Sequence, residues 1–246
     1  MIRTIIIMAI VVGYLILSIP LMLVEWIIGK FNPYAKDISY LRIIQGVFKL
    51  MLLVSGVKVT VIGEENVPKD QAVLYVGNHR SFFDIIITYA RCPGLTGYVA
   101  KKEIRKVPLL NVWMIYLHCL FLDRKNIKEG LKTILAGIDQ IKRGISVFIF
   151  PEGTRNKNES CEDLLPFHEG SFKLAIKSGC PIIPVSLNNT DRIFETQFPR
   201  VKPVHVVLEY GAAVFPTHLS REEQRHIGPY VQNIISETLK KNASLL

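Results

Sequence analysis

His79 and Asp84, in the segment Gly77-Asn78-His79-Arg80-Ser81-Phe82-Phe83-Asp84, are the residue types that proton transfer requires. The aspartate lies five positions on, at the start of a helical run over 84–91. At that distance it can fold back and accept a hydrogen bond from the imidazole Nδ1–H. Such a bond fixes the tautomer and leaves Nε2 free to take a proton from a hydroxyl. The same two residues also fit a plainer arrangement, in which Asp84 caps the helix and His79 packs in a loop. A second cluster is Phe150-Pro151-Glu152-Gly153-Thr154-Arg155-Asn156, where Pro and Gly predict a tight turn. Arg155 can grip a phosphate with two parallel bonds, and turn N–H groups add to an anion site. A surface Glu–Arg pair on a turn would look the same. Phe121-Leu122-Asp123-Arg124 and Ala100-Lys101-Lys102-Glu103 add further cations. No G-x-S-x-G elbow, G-x-G-x-x-G or phosphate-loop motif is present, which argues against an α/β-hydrolase, a dinucleotide site or a nucleotide-triphosphate site.

All four clusters follow apolar, β-rich runs. Such runs occur at Lys58–Ile62, Ala72–Val76, Gly97–Ala100, Cys119–Leu122, Ile145–Phe150, Ile182–Ser186 and His205–Tyr210. Between several of them lie helical patterns. In Asn126–Arg143 the residues Ile127, Leu131, Ile134, Leu135, Ile138 and Ile141 recur at helical spacing and predict a single apolar stripe. Ser220 with Glu223 predicts a capping box opening the last helix. Alternating units of this kind predict an α/β fold, a mixed sheet flanked by helices. Ligands of such sheets sit at the carboxyl ends of the strands, where the four clusters fall.

The N-H-x(4)-D block at Asn78, His79 and Asp84 resembles the glycerolipid acyltransferase family, which includes the 1-acylglycerol-3-phosphate acyltransferases. So do the Asp123-Arg124 block, Phe-Pro-Glu-Gly-Thr-Arg at 150–155, and the proline-centred run Pro181-Ile182-Ile183-Pro184-Val185. The four blocks stand in the family's order across 57–187. The resemblance implies transfer of a fatty acyl group from a thioester of coenzyme A or acyl carrier protein to a glycerolipid hydroxyl. The acceptor ranked first is lysophosphatidate; glycerol 3-phosphate or another lysophospholipid are alternatives. His79 would be the general base and Asp84 its orienter. Glu152, Gly153, Thr154, Arg155, Arg124 and Lys101 would bind the glycerol phosphate, and Pro184 would shape the acyl-donor side. No metal and no cofactor beyond the thioester co-substrate is implied. From other classes, a non-catalytic lipid-binding protein and a thioester hydrolase compete with this reading.

The chain has 246 residues, 49% hydrophobic and 21% charged, with 30 Lys+Arg against 21 Asp+Glu and a net charge of +9. It is therefore no disordered chain, and its partners are expected to be anionic: a lipid surface or a phosphate-bearing ligand. The mean hydropathy of +0.28 and the absence of aromatics among the basic residues argue against nucleic acid. The apolar excess lies at the front. From Thr4 to Val24 no residue is charged, about the 20 residues a helix needs to cross a hydrocarbon core. A kink is expected near Pro20, a break at Asn32-Pro33, and a second apolar stretch over Ile38–Gly56. Residues 1–56 read as a membrane-embedded helix pair, spanning or held in one leaflet, and 57–246 as the catalytic domain with its motifs between about 72 and 190. Lys30, Lys36, Arg42 and Lys49 follow the first run, which leaves the remainder on the cytoplasmic side. Cys92, Cys119, Cys161 and Cys180 contain no C-x-x-C pair and read as reduced, separate thiols.

Overall fold

The computed structural model describes every residue from Met1 to Leu246. Two long helices, α1 (Ile2–Phe31) and α2 (Pro33–Ser55), precede β1 (Lys58–Ile62), β2 (Leu74–Gly77), α3 (Phe82–Tyr89), β3 (Thr96–Lys101) and α4 (Leu110–Tyr116). Then come β4 (Leu120–Leu122), α5 (Ile127–Lys142), β5 (Ser146–Ile149), α6 (Lys173–Ser178) and β6 (Ile182–Asn188). The chain ends with β7 (His205–Tyr210), the short α7 (Arg221–Arg225) and α8 (Ile227–Asn242).

The strands form one sheet in the order β1-β7-β6-β2-β5-β3-β4. All pairings are parallel except β6 with β7, so the sheet is mixed. Because side chains alternate along an extended chain, β2 and the residue that leads into it feed two cores. Val73 and Tyr75 face one apolar cluster, Leu74 and Val76 the other. The first cluster is covered by α1, α2, α3 and α4, through residues such as Tyr40, Leu41, Ile87 and Trp113. The second is covered by α5, α6 and α8, through Ile141, Leu174, Val231 and Ile235.

Local sequence explains most boundaries. Asn32 accepts a hydrogen bond from the Ala35 N–H and Pro33 takes the first position of α2, which together cap that helix. Gly56 closes α2 at φ +72°, a conformation open to glycine. Asn126 caps α5 through the Glu129 N–H. The helix α1 continues through Pro20 without interruption.

Two expectations change. The Ser220–Glu223 capping box is present, but it opens only the five-residue α7; the last helix starts afresh at Ile227. The expected single stripe of α5 is split. Ile134, Ile138 and Ile141 pack inward, whereas Ile127, Leu131 and Leu135 are exposed. Gly137 explains the split. A Cβ there would stand 2.6 Å from Leu174 and 2.9 Å from Leu120, so α5 approaches the sheet and α6 along its glycine side.

The helices α1 and α2 are long and apolar enough to cross a membrane, their 18-residue windows reaching mean hydropathies of 2.7 and 1.5. They also dock on the sheet layer. Trp113 Nε1 donates to Ser18 Oγ at 2.9 Å, and Gln45 Nε2 donates to the Tyr89 and Cys92 carbonyls at the end of α3. His118 Nε2 lies 2.8 Å from Asp37 Oδ2.

Candidate active site

The turn from β2 into α3 carries the first cluster. Ser81 is the N-cap of α3, and its Oγ accepts from the Phe83 N–H. Asp84, three positions later, folds its carboxylate back over the turn. Its Oδ2 accepts from the Arg80 N–H at 2.7 Å, the Ser81 N–H at 2.8 Å and the His79 Nδ1–H at 2.8 Å. Asp84 is fully buried, while the imidazole keeps 16% of its surface. One carboxylate oxygen therefore caps the helix and orients the histidine at once. With Nδ1–H committed to Asp84, Nε2 is the ring nitrogen left as a base.

The ring has a platform. Phe150 stacks beneath it, with centroids 4.2 Å apart and planes 17° apart. Gly77 makes room for this. A Cβ on it would stand 3.1 Å from Phe148 and 3.3 Å from Phe150. Asn78 fastens the loop to β6: its Nδ2 donates to the Leu187 carbonyl and its Oδ1 accepts from the Leu187 N–H.

The turn after β5 locks onto the same loop. Glu152 Oε1 accepts from the His79 N–H at 2.8 Å, Oε2 accepts from the Leu165 N–H at 3.0 Å, and the Asn156 N–H donates to the His79 carbonyl at 2.7 Å. Burial pushes the Glu152 carboxyl above its ordinary range, and the backbone donors from His79 and Leu165 only partly oppose this. Glu152 is thus a buried tie between two loops. Both its oxygens are spent on backbone, and a carboxylate facing a phosphate would repel it, so direct substrate contact does not suit this residue.

Gly153 turns at φ +73°, and its carbonyl accepts a hydrogen bond from Arg124 Nη1. Arg124, on the β4–α5 turn, is thereby joined to the loop that holds His79. Arg155 turns elsewhere. Its Nη1 donates to Glu195 Oε1 at 3.2 Å and its guanidinium lies 3.9 Å from the Phe82 ring centre. It borders a cavity of about 540 Å³ whose walls include Phe82, Lys157, Phe194 and Glu195. The cations expected around one phosphate accordingly fall on two sides of the 150–156 turn.

Other expected residues stand apart. Lys101 is 62% exposed, its Nζ 3.8 Å from Glu103, whereas Lys102 pairs with Asp123 at 2.7 Å. Thr154 is exposed at the turn tip. Pro184 is buried within β6, opposite Val76 of β2 and against Gly211, so it shapes the sheet beneath the site.

Three contributors escaped the sequence reading. Glu195 accepts from Ser81 Oγ, the Phe82 N–H and Arg155, and so ties α3 to the 190s. Arg80 is buried and donates to the Ser160 and Asn158 carbonyls and to Asp191, which holds the 156–163 loop. His168 is exposed, and its Nε2 lies 3.1 Å from the point a Cβ on Gly153 would occupy, with Arg124 Nη1 at 3.4 Å from that point. Glu195 and His168 join the site from distant segments, and Arg80, although next to His79, has its partners in distant ones, so no local spacing announces their roles. For His168 a basic residue just before the turn into α6 was the one available signal.

Residues 58–188 match a family profile described as Acyltransferase. The chain is 31% identical over 195 residues to a 1-acyl-sn-glycerol-3-phosphate acyltransferase of Borreliella burgdorferi, covering 78% of this chain and 76% of that protein. It is 28% identical over 195 residues to the enzyme of the same name from Saccharomyces cerevisiae, covering 79% and 64% of the two chains. Among solved structures it resembles the 1-acyl-sn-glycerophosphate (LPA) acyltransferase PlsC from Thermotoga maritima, with a TM-score of 0.83 and 25% identity. That match covers 98% of this chain and 94% of the other. The mixed sheet and its flanking helices are shared with that protein.

Proposed function

The chain belongs to the acyltransferase family, and from that premise we propose that it acylates the free hydroxyl of 1-acyl-glycerol 3-phosphate, making phosphatidate. The acyl donor is a thioester of coenzyme A or of an acyl carrier protein. The observation that carries this reading is the His79 Nδ1–Asp84 pair beside the Glu152–Gly153 turn. The names of the relatives support the choice of acceptor.

The acceptor hydroxyl oxygen attacks the thioester carbonyl carbon, and its proton passes to His79 Nε2. The C–S bond then breaks, and the imidazolium returns the proton to the leaving thiolate. Asp84 stabilises the imidazolium between these steps. The thioester is already activated, so direct attack needs no acyl-enzyme. General base catalysis of this kind contributes about 10²–10⁴-fold, and holding the two substrates together supplies much of the remainder. Arg124 meets the acceptor phosphate, with His168 beside it. Arg155 joins once it exchanges Glu195 for substrate, and Thr154 and Lys101 stand at the rim. The helix pair keeps the site against the bilayer, where the lysolipid resides. The cations after α1 favour the cytoplasmic side.

Product analysis with an acyl thioester, in the presence and absence of lysophosphatidate, tests this reading. Wild type is expected to form phosphatidate only with acceptor present. His79→Ala should lose at least 10²-fold in kcat while remaining membrane-bound. Free fatty acid released without acceptor would mark a hydrolase instead, and wild-type turnover in the variant would remove His79 as the base.

A further inference from the structure

The outer surface of α5 is at odds with the core it helps to build. Ile127, Leu131 and Leu135 recur every fourth residue and are 90%, 53% and 57% exposed. At that spacing they form one continuous apolar strip along the helix. Single exposed apolar residues are ordinary, but an aligned strip rimmed by charge marks an interaction surface.

The rim is cationic. Lys125, Lys128 and Lys142 on or beside α5, and Lys173 and Lys177 on the neighbouring α6, are exposed and have no carboxylate partner. The two acids of α5 are already engaged, Glu129 with Lys132 at 2.7 Å and Asp139 with Arg143 at 3.0 Å. What remains free on this face is positive, so its partner is an acidic surface with a small apolar contact of its own.

Position narrows the partner further. The inward side of α5 belongs to the cluster shared with α6 and α8, on the sheet face opposite the one that α1 and α2 cover. The membrane helices and the α5 strip therefore lie on opposite layers of the molecule, and the strip is turned toward soluble partners. It is also close to the chemistry. Ile127 follows Arg124 by three residues, and the Arg124 guanidinium bonds the Gly153 carbonyl. The turn that carries His168 to Gly153 leads directly into α6. The starts of α5 and α6 thus flank the site on the side away from the helix pair.

We propose that the exposed strip of α5 and its lysine rim are the docking surface for an acidic carrier protein that delivers the acyl thioester. This rests on the acyl-transfer reading above and specifies its donor as protein-borne. Apolar contact at the centre supplies the binding, and the lysines steer the encounter and set its orientation.

Steady-state kinetics with two donors, palmitoylated acyl carrier protein and palmitoyl-CoA, test the inference on the full-length protein. In Lys128→Glu and in the double variant Leu131→Ser, Leu135→Ser, the KM for the acylated carrier is expected to rise at least tenfold. The KM for palmitoyl-CoA and for lysophosphatidate should stay within twofold, which also shows that the fold is intact. Added salt should raise the carrier KM of wild type more steeply than that of Lys128→Glu. An unchanged carrier KM would overturn the inference, as would equal losses with both donors. So would a double variant that loses only vesicle binding or changes only its oligomeric state, since the strip would then belong to lipid or to a second copy. A wild type active with palmitoyl-CoA alone overturns the carrier surface and leaves the acyl-transfer reading standing. Inactivity with both donors overturns both.

Discussion

Asp84 Oδ2 accepts from two backbone N–H groups as well as from His79. The helix cap and the His79–Asp84 hydrogen bond are therefore the same geometry. An aspartate at the third helical position must fold back to reach the N-cap, and a histidine just upstream of that cap lies in its path. The five-residue spacing was ambiguous in the sequence because either role satisfies it; in the folded turn both are satisfied together. Glu152 shows the opposite outcome. Its place in the turn suggests a substrate ligand, yet both oxygens hold backbone, and burial raises its pKa. The folded state then retains the Glu152 proton to a higher pH than the unfolded chain does. The residue's contribution to stability declines as pH rises from the ordinary carboxyl range through the raised value, and is flat above it. Glu152→Gln, which cannot ionise, is expected to gain in Tm relative to wild type across that window. Its kcat should nevertheless fall about 10–10²-fold, because one backbone N–H loses its acceptor and the His79 loop shifts. Thermal melts at several pH values and acceptor kinetics check the two parts. A constant Tm difference across pH would contradict the linkage.

Elements position these residues by ending where they do. The strands β2 and β5 are adjacent and parallel, so their carboxyl ends bring His79 and Glu152 together although 73 positions separate them. The strand runs were legible because β-rich segments bounded by turn residues leave few alternatives, and all seven strands overlap the runs read from sequence. Helix faces were less legible. Periodicity in α5 showed which residues are apolar and left open which of them find a partner. Gly137 decides that, since it allows Leu174 and Leu120 to close on the helix. Gly137→Val is expected to force α5 and α6 apart at a cost of about 1–3 kcal/mol, the usual penalty of overpacking. At roughly 2–4 °C per kcal/mol for a chain of this size class, the loss should be visible in a thermal melt. An unaltered Tm would mean that the contact is loose. Asn78 is a second case of an element completed from outside. Its amide pairs with Leu187 as a strand residue would, extending β2 by side chain where the backbone has already turned away.

At the scale of the whole molecule the helix pair and the sheet share an apolar cluster, in which Ile7, Tyr40, Leu41, Ile44 and Met51 are buried. Each large apolar side chain so buried is worth about 1.5–3 kcal/mol, and the sum is comparable with a typical net stability of about 5–15 kcal/mol. Deletion of residues 1–56 would uncover the faces of α3 and α4 that pack against them. The remainder is expected to aggregate, and size-exclusion chromatography showing a monodisperse, folded 57–246 would contradict this. Composition and motif order alone pointed to an apolar front, a mixed α/β fold and a histidine within reach of an aspartate, because these depend on residues near one another in the chain. Hydrophobic period, turn chemistry and a five-residue spacing act locally. Tertiary structure alone decided that Glu152 is a tie, that Arg155 faces Glu195, that Glu195 and His168 join the site, and that half of α5 stays uncovered. Each of these depends on which distant segment arrives beside a given side chain. That is set by sheet order and by the close approach that Gly77 and Gly137 permit, and neither is written in the local pattern.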